Sequence, residues 1–400
     1  MSNNIQHRSE QSSPRSIAAT VGIIIALFII AAIPPAEARE KGQDFIEDAR
    51  YLFRALTCGA GELPKGIDRA AVYDHCRLLN AQISHYRKGF IEPASRFFAQ
   101  ELPKNLPRKV VIPFGGGDLL PAMTVYPDAG EYTTISLESA GDPRRFKHIP
   151  AQRLKPALAA YRNAVGFLLT QYDISNEVVR DLERGPVPNQ IAYSLTALAA
   201  SGCEPRSLRF FRIENDGSIR YLEKEDIEAL EGTRAQRLKR TWIDTDFSEA
   251  FRNMEIRFTR PDGRQCVHRH IAFNLDNNHF AKSGLRRHIE GKGRIAAMIK
   301  GGSYLVWFDS FSAFRECLLS HAECIVHDAT GILPTHAAAA GFSQTPYGRF
   351  SKAFLPEDGG NGAASLRTLF ASHPYRPLPF MFGYADAQRA PHLIITTRKR

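Results

Sequence analysis

The chain has 400 residues, is 44% hydrophobic and 24% charged, and holds 29 Gly, 24 Pro and 6 Cys, the composition of a folded globular protein. Those counts exclude wholesale disorder, collagen-like repeats and a dense disulfide scaffold, and the length suffices for a core of ordinary size. Lys and Arg total 52 against 42 Asp and Glu, a formal charge of +10 that is scattered, with its densest stretches at 234–240, 286–294 and 398–400. Scattered charge reads as solvated surface, and without a binding motif it does not mark a specific nucleic-acid protein.

The first element is an uncharged apolar run over residues 17–33, preceded by Arg8 and Arg15 and followed by Pro34-Pro35-Ala36-Glu37-Ala38. This is the layout of a secretory signal, with small residues at the cleavage positions and prolines that end the helix ahead of them. Cleavage is expected after Ala38, so that 1–38 is a signal peptide and 39–400 a single α/β domain. The alternative is an uncleaved inner-membrane anchor, because the run would span about 25 Å as a helix against a bilayer core of about 30 Å. The leader carries Arg8, Arg15, Glu10 and Glu37, two charges of each sign, so the mature chain keeps the whole +10. An exported basic protein has anionic lipid head groups or cell-wall polymers as natural neighbours.

Helical spacing of apolar residues follows at 44–56 and 69–85. Pro103 and Pro107 then lead into Lys109-Val110-Val111-Ile112-Pro113-Phe114, a buried strand by composition, which stops at Gly115-Gly116-Gly117-Asp118. A short helix is expected over 119–125, a strand over 132–138, and helices over 151–170 and 189–200. Asn215-Asp216-Gly217 and Pro261-Asp262-Gly263 turn two hairpins, 208–213 with 219–222 and 255–260 with 265–274. A charged helix is expected at 225–240. Helix 284–289, strand 303–308, helix 311–321 and strand 324–327 come next, then an irregular Gly/Pro-rich region over 331–379 and a closing strand over 392–397. The order predicts one elaborated, three-layer, Rossmann-like α/β sheet with an N-terminal helical segment and a β-hairpin insertion.

All six cysteines lie beyond the cleavage site, where an oxidising compartment permits disulfides. Proximity favours Cys58–Cys76 and Cys317–Cys324, with Cys203 and Cys266 left over; buried free thiols are the competing reading.

Residues 110–141 resemble a family of uncharacterised exported bacterial proteins whose members carry a strand ending in Pro-Phe-Ser/Gly-Gly-x-Asp, then an aromatic-Pro turn and a strand ending in Leu-Glu. The blocks Gly301-Gly302-Ser303-Tyr304-Leu305, 311–319, Ile325-Val326-His327-Asp328-Ala329-Thr330-Gly331-Ile332, and Tyr347-Gly348-Arg349-Phe350 resemble later blocks of that family in the same order. Gly117 departs from a commoner proline, and His327 stands where a more acidic pair is usual. The resemblance implies export and a shared α/β fold, and no activity.

The order strand, GGGD, helix, strand, Glu is how nucleotide-binding α/β proteins begin. Gly115, Gly116 and Gly117 would let a backbone approach a ligand, and Glu138 would reach hydroxyl groups at a strand end. No full G-x-G-x-x-G is present, and the bland reading is a structural turn with Asp118 capping the next helix. Asp118, Glu138 and Asp328 all fall at predicted strand ends, where open α/β sheets place their ligands, and are the candidate binding or acid–base groups. Asp309 and Arg315 are weaker candidates. Cys266, His268 and His270 alternate on one strand face, with Asp276 or His279 to complete a metal set, although the apolar residues Val267, Ile271 and Phe273 are expected to point inward and leave the histidines wet. G-x-S-x-G, H-E-x-x-H and P-loop motifs are absent, and no cofactor is named by the sequence. The expected role is binding or structural at the bacterial envelope, in the periplasm or outside the cell, with anionic envelope components or a small molecule as partner. A periplasmic enzyme that uses the strand-end carboxylates is the alternative.

Overall fold

Val110, Val111 and Ile112 are all fully buried, which a strand achieves only when both of its faces are covered. They form β1 (Lys109–Pro113), the middle of a ten-stranded sheet in a computed structural model that describes residues 42–169, 187–231, 249–350, 360–383 and 391–399. Residues 1–38, the expected signal segment, lie outside the described residues, as does most of the predicted charged helix beyond Leu230. Among the described residues no helix is long and apolar enough to cross a membrane.

Besides β1, the strands are β2 (Glu131–Ser136), β3 (Glu204–Ile213), β4 (Ile219–Tyr221), β5 (Asn253–Thr259), β6 (Gln265–Ala272), β7 (Ile295–Ile299), β8 (Ala322–His327), β9 (Phe342–Gly348) and β10 (His392–Arg398). Their order in the sheet is β4-β3-β5-β6-β2-β1-β7-β8-β10-β9. Strands β6, β2, β1, β7 and β8 run parallel, and the flanking pairs are antiparallel. Both predicted hairpins form, and Gly217 and Gly263 at their turns have φ of 90° and 84°, the left-handed region that glycine enters without steric cost.

Helices α1 (Ile46–Ala55), α2 (Arg69–Tyr86), α3 (Glu92–Glu101), α4 (Leu119–Val125), α5 (Ala151–Leu169) and α6 (Asn189–Ala200) pack with Val110 and Ile112 in one apolar cluster. The alternate residue Val111 belongs to a second cluster, on the other face. Helix α7 (Lys224–Leu230) lies with the first cluster, and α8 (Asn277–Phe280), α9 (Gly284–Glu290) and α10 (Ser312–His321) complete the second. Remaining are α11 (Pro334–Ala339) and α12 (Gly360–Ala371). All the described residues belong to one compact unit.

Three expectations are corrected. Residues 303–308 are not a strand: Ser303 and Tyr304 have φ of 49° and 61°, and a 3-10 turn, Leu305–Trp307, follows. The strand is β7, whose Ala-Ala-Met centre has weak β-propensity and is held by its two parallel neighbours. The region 331–379 is not irregular throughout, because α11, β9 and α12 form within it. Cys58 and Cys76 are bonded, with Cα atoms 5.5 Å apart, but Cys317 and Cys324 are buried free thiols. Cys317 packs in the cluster on one sheet face and Cys324 in the cluster on the other, so the sheet itself separates them.

Candidate functional site

From β1 the chain moves to β2 and later β6 on one side, then to β7 and β8 on the other, so the strand order reverses between β1 and β7. Because these five strands are parallel, the residues that follow them gather on one edge of the sheet, where open α/β sheets hold ligands. Gly115 to Asp118, Glu138, Lys300 to Gly302 and Asp328 all lie there.

Asp118 opens α4 without a side-chain cap, contrary to the capping role. Its Oδ1 instead accepts a 2.6 Å hydrogen bond from Lys300 Nζ, with the two side chains 1% and 2% exposed. Asp328 organises the turns after β7 and β8. Its Oδ2 accepts from the Gly301 amide at 3.0 Å, and its Oδ1 accepts from the Thr330 amide at 2.9 Å and hydroxyl at 2.5 Å. The Thr330 oxygen in turn accepts from the Gly302 amide at 2.7 Å. A Cβ at Gly383 would stand 1.8 Å from Asp328 Oδ2, so Asp328 is enclosed and acts as a loop latch. Glu138 is buried, and loss of solvent raises the pKa of its carboxyl above the usual range, which favours the neutral acid.

The three glycines face protein atoms closely. A Cβ would lie 2.5 Å from Asp118 Oδ2 at Gly115, 2.5 Å from Ser136 Oγ and 2.7 Å from Gln190 Nε2 at Gly116, and 2.9 Å from Leu168 at Gly117. Around this loop, Asp118 Oδ2, both polar atoms of the Asn189 side chain and Gln190 Oε1 are buried with no hydrogen-bond partner among the described residues. Phe114, at the end of β1, has φ of 63°, so strained non-glycine residues stand just after both β1 and β7. Lys300, Asn189 and Gln190 escape sequence reasoning, although a lysine directly after the apolar run 295–299 and two amides opening an apolar helix are signals of polar groups in a core.

The other candidates disperse. His268 and His270 are wholly buried rather than wet: Cys266, His268 and His270 face the helices packed on the first cluster, because β6 is an interior strand with both faces covered. Their rings share the Thr134 hydroxyl at 3.0 and 3.2 Å, and His270 Nε2 lies 2.7 Å from the Glu138 carbonyl. Asp276 and His279 pair with each other at 2.7 Å at the start of α8. Among the described residues the one trio with metal-ligand proximity is Cys58, His75 and Cys76, whose cysteines are already bonded. Arg315 donates to the carbonyls of Val306 and Phe308, and Asp309, 3.8 Å from it, is fully exposed.

Chemically, the edge combines a cation-neutralised carboxylate, a buried carboxyl whose pKa burial raises, and two amides with polar atoms unpaired among the described residues, a set suited to holding a small polar molecule by hydrogen bonds. The fold and this edge define a mixed α/β protein. Comparisons with protein-family models, curated proteins and solved structures find no match for this chain.

Proposed function

We propose that the chain is an exported envelope protein that binds a small polar ligand at the strand-end cluster of Asp118, Glu138, Asn189, Gln190 and Lys300, on a doubly wound, Rossmann-like three-layer sheet. The observation that carries the reading is that Asp118 and Gln190, beside Gly115 and Gly116, and Asn189 next to Gln190 hold buried polar atoms with no hydrogen-bond partner among the described residues. Buried polar atoms are rarely left unpaired, and each costs about 1–3 kcal/mol unless something satisfies it. The sheet's strand reversal between β1 and β7 supports the same location. The resemblance of residues 110–141 to exported bacterial proteins supports the compartment.

Gln190→Met is therefore expected to raise the melting temperature of ligand-free protein by a few degrees, since it removes an unpaired buried carbonyl at similar volume. Protein purified from its native host should release a small molecule on denaturation, seen by mass spectrometry, and the variant should release none. A variant that melts lower, with no molecule released by either protein, would reduce the cluster to a packed polar core.

Export makes its own prediction. The intact mass of the mature protein should correspond to a chain that starts at Arg39, and a retained Met1 would reject cleavage after Ala38. A second reading, a periplasmic enzyme acting on a small molecule or an envelope polymer, is favoured by the raised pKa of Glu138, a candidate general acid, and by the strained turns at Phe114, Ser303 and Tyr304.

A further inference from the structure

The opposite edge of the sheet holds a different kind of site. A cleft of about 950 Å³ opens at the N-terminal ends of β1 and β2, within the usual size range of small-molecule sites. Its floor includes Phe98, Leu102, Leu106, Leu120 and Met123, and its rim carries Arg87, Lys104, Arg108 and Arg260. Residues 103–108, with Pro103 and Pro107 among them, cross from α3 into β1 and leave Lys104 and Arg108 exposed on the rim. Arg87 comes from a π-turn, Arg87–Ile91, that joins α2 to α3, the kind of helical irregularity that recurs at functional sites.

Among the described residues the hydrogen bonds of the rim arginines go to uncharged groups, and the Asp262 carboxylate lies near enough to Arg260 to feel its charge without pairing with it. Arg87 donates to the Ala200 carbonyl, Arg108 to the Asp128 carbonyl and Arg260 to the Tyr132 hydroxyl, all uncharged acceptors. Among the described residues none of the four rim cations has a carboxylate within ion-pair distance, and the single acidic lining residue, Asp128, is 3.7 Å from Arg264 instead. By contrast, Lys292 and Arg294, in an adjoining cleft that shares residues 103–108, are paired with Glu131 and Glu323. An apolar floor beneath positive charge asks for a molecule with both characters. A bare anion would leave the floor wet, a neutral lipid would leave the rim unused, and an extended polyanion would not enter a concave apolar floor.

We propose that this cleft binds an anionic single-chain amphiphile, its alkyl chain on the Phe98–Met123 floor and its head group between Lys104, Arg108 and Arg87. The site is independent of the strand-end cluster, since it lies at the other ends of β1 and β2, and failure of one proposal leaves the other standing.

Calorimetric titration with dodecyl phosphate below its micellar concentration tests it. Dodecyl phosphate should bind at least about tenfold more tightly than inorganic phosphate or the uncharged dodecyl maltoside. The double variant Lys104→Ala, Arg108→Ala should weaken dodecyl phosphate by about tenfold or more with the melting temperature unchanged, because both residues are exposed, whereas Arg294→Ala should leave its affinity within about twofold. Equal binding of inorganic phosphate would make the rim a simple anion site, and equal binding of dodecyl maltoside would make the floor a non-specific apolar surface. Binding to phosphatidylglycerol vesicles without binding of soluble dodecyl phosphate would make the face a membrane-docking surface. Each of these results, or an unchanged affinity in the double variant, overturns the proposal.

Discussion

Lys300→Met is expected to cost about 3–5 kcal/mol of stability, because it strands the Asp118 carboxylate in a site where neither side chain reaches water. The pair is 2.6 Å apart and links the turn after β1 to the turn after β7, so the loss should be cooperative rather than local. Urea unfolding of the single variant should show it as a fall in midpoint with little change in slope. Asp118→Asn added to Lys300→Met removes the stranded charge, and the double variant should recover much of the deficit, giving a coupling energy well above about 1 kcal/mol. Single variants within about 1 kcal/mol of the parent protein would mean that the pair is hydrated and that the strand-end cluster is open.

Stability is also expected to fall steeply in mild acid. Burial holds the pKa of His268 down at about 3 and of His270 and His327 at about 4. A histidine in the unfolded chain titrates near pH 6.5, so the unfolded state takes up protons first as the pH drops. The stabilisation from each neutral buried ring is thus complete above about pH 6.5 and is lost towards about pH 4, at up to about 1.4 kcal/mol per pH unit per ring. Glu131 acts in the same direction at lower pH. Burial alone would raise its pKa, but Lys292 and Arg269 outweigh burial and hold it at about 2, so its contribution is lost as the pH falls below the ordinary carboxylate range. Glu138, raised by burial, opposes this trend, since its neutral form is the one the fold favours. Histidines outnumber it, and the urea midpoint should drop between pH 7 and pH 5. A midpoint constant over that interval would show that the rings are solvated.

Local pattern made much of the fold legible. The strand Lys109–Pro113, the helix Leu119–Val125 and the helix Asn189–Ala200 are where apolar spacing and Gly/Pro punctuation place them, because each carries its own periodicity and its own stop signals. Strand β7 is the counter-example. Ile295-Ala296-Ala297-Met298-Ile299 has no alternation and little β-propensity, and its conformation comes from hydrogen bonding on both sides to β1 and β8. On β6 the sequence correctly groups Cys266, His268 and His270 on one face, but period-2 spacing carries no record of what covers that face. In an interior strand the answer is a wall of helices, so histidines that looked solvated are neutral core residues.

The candidate site divides in the same way. Asp118, Glu138 and Asp328 are readable as strand-end carboxylates, since strand ends follow from local signals. Their partners are not readable: Lys300 is 182 positions from Asp118, and Gln190 meets the glycine loop only because α6 packs over it. By itself the sequence determined the globular composition, the +10 charge, the uncharged apolar run over 17–33, the residues able to bond at Cys58 and Cys76, and most helices and hairpins. Those properties depend on composition and on neighbours a few residues apart. Only the tertiary structure decided which strands are central, which carboxylate is paired and which latches a loop, and that four cations rim an apolar cleft with no carboxylate at ion-pair distance from them among the described residues. Those depend on contacts between distant segments, and burial, which sets the energy of the Asp118–Lys300 pair and of the core histidines, exists only once helices have packed over the sheet.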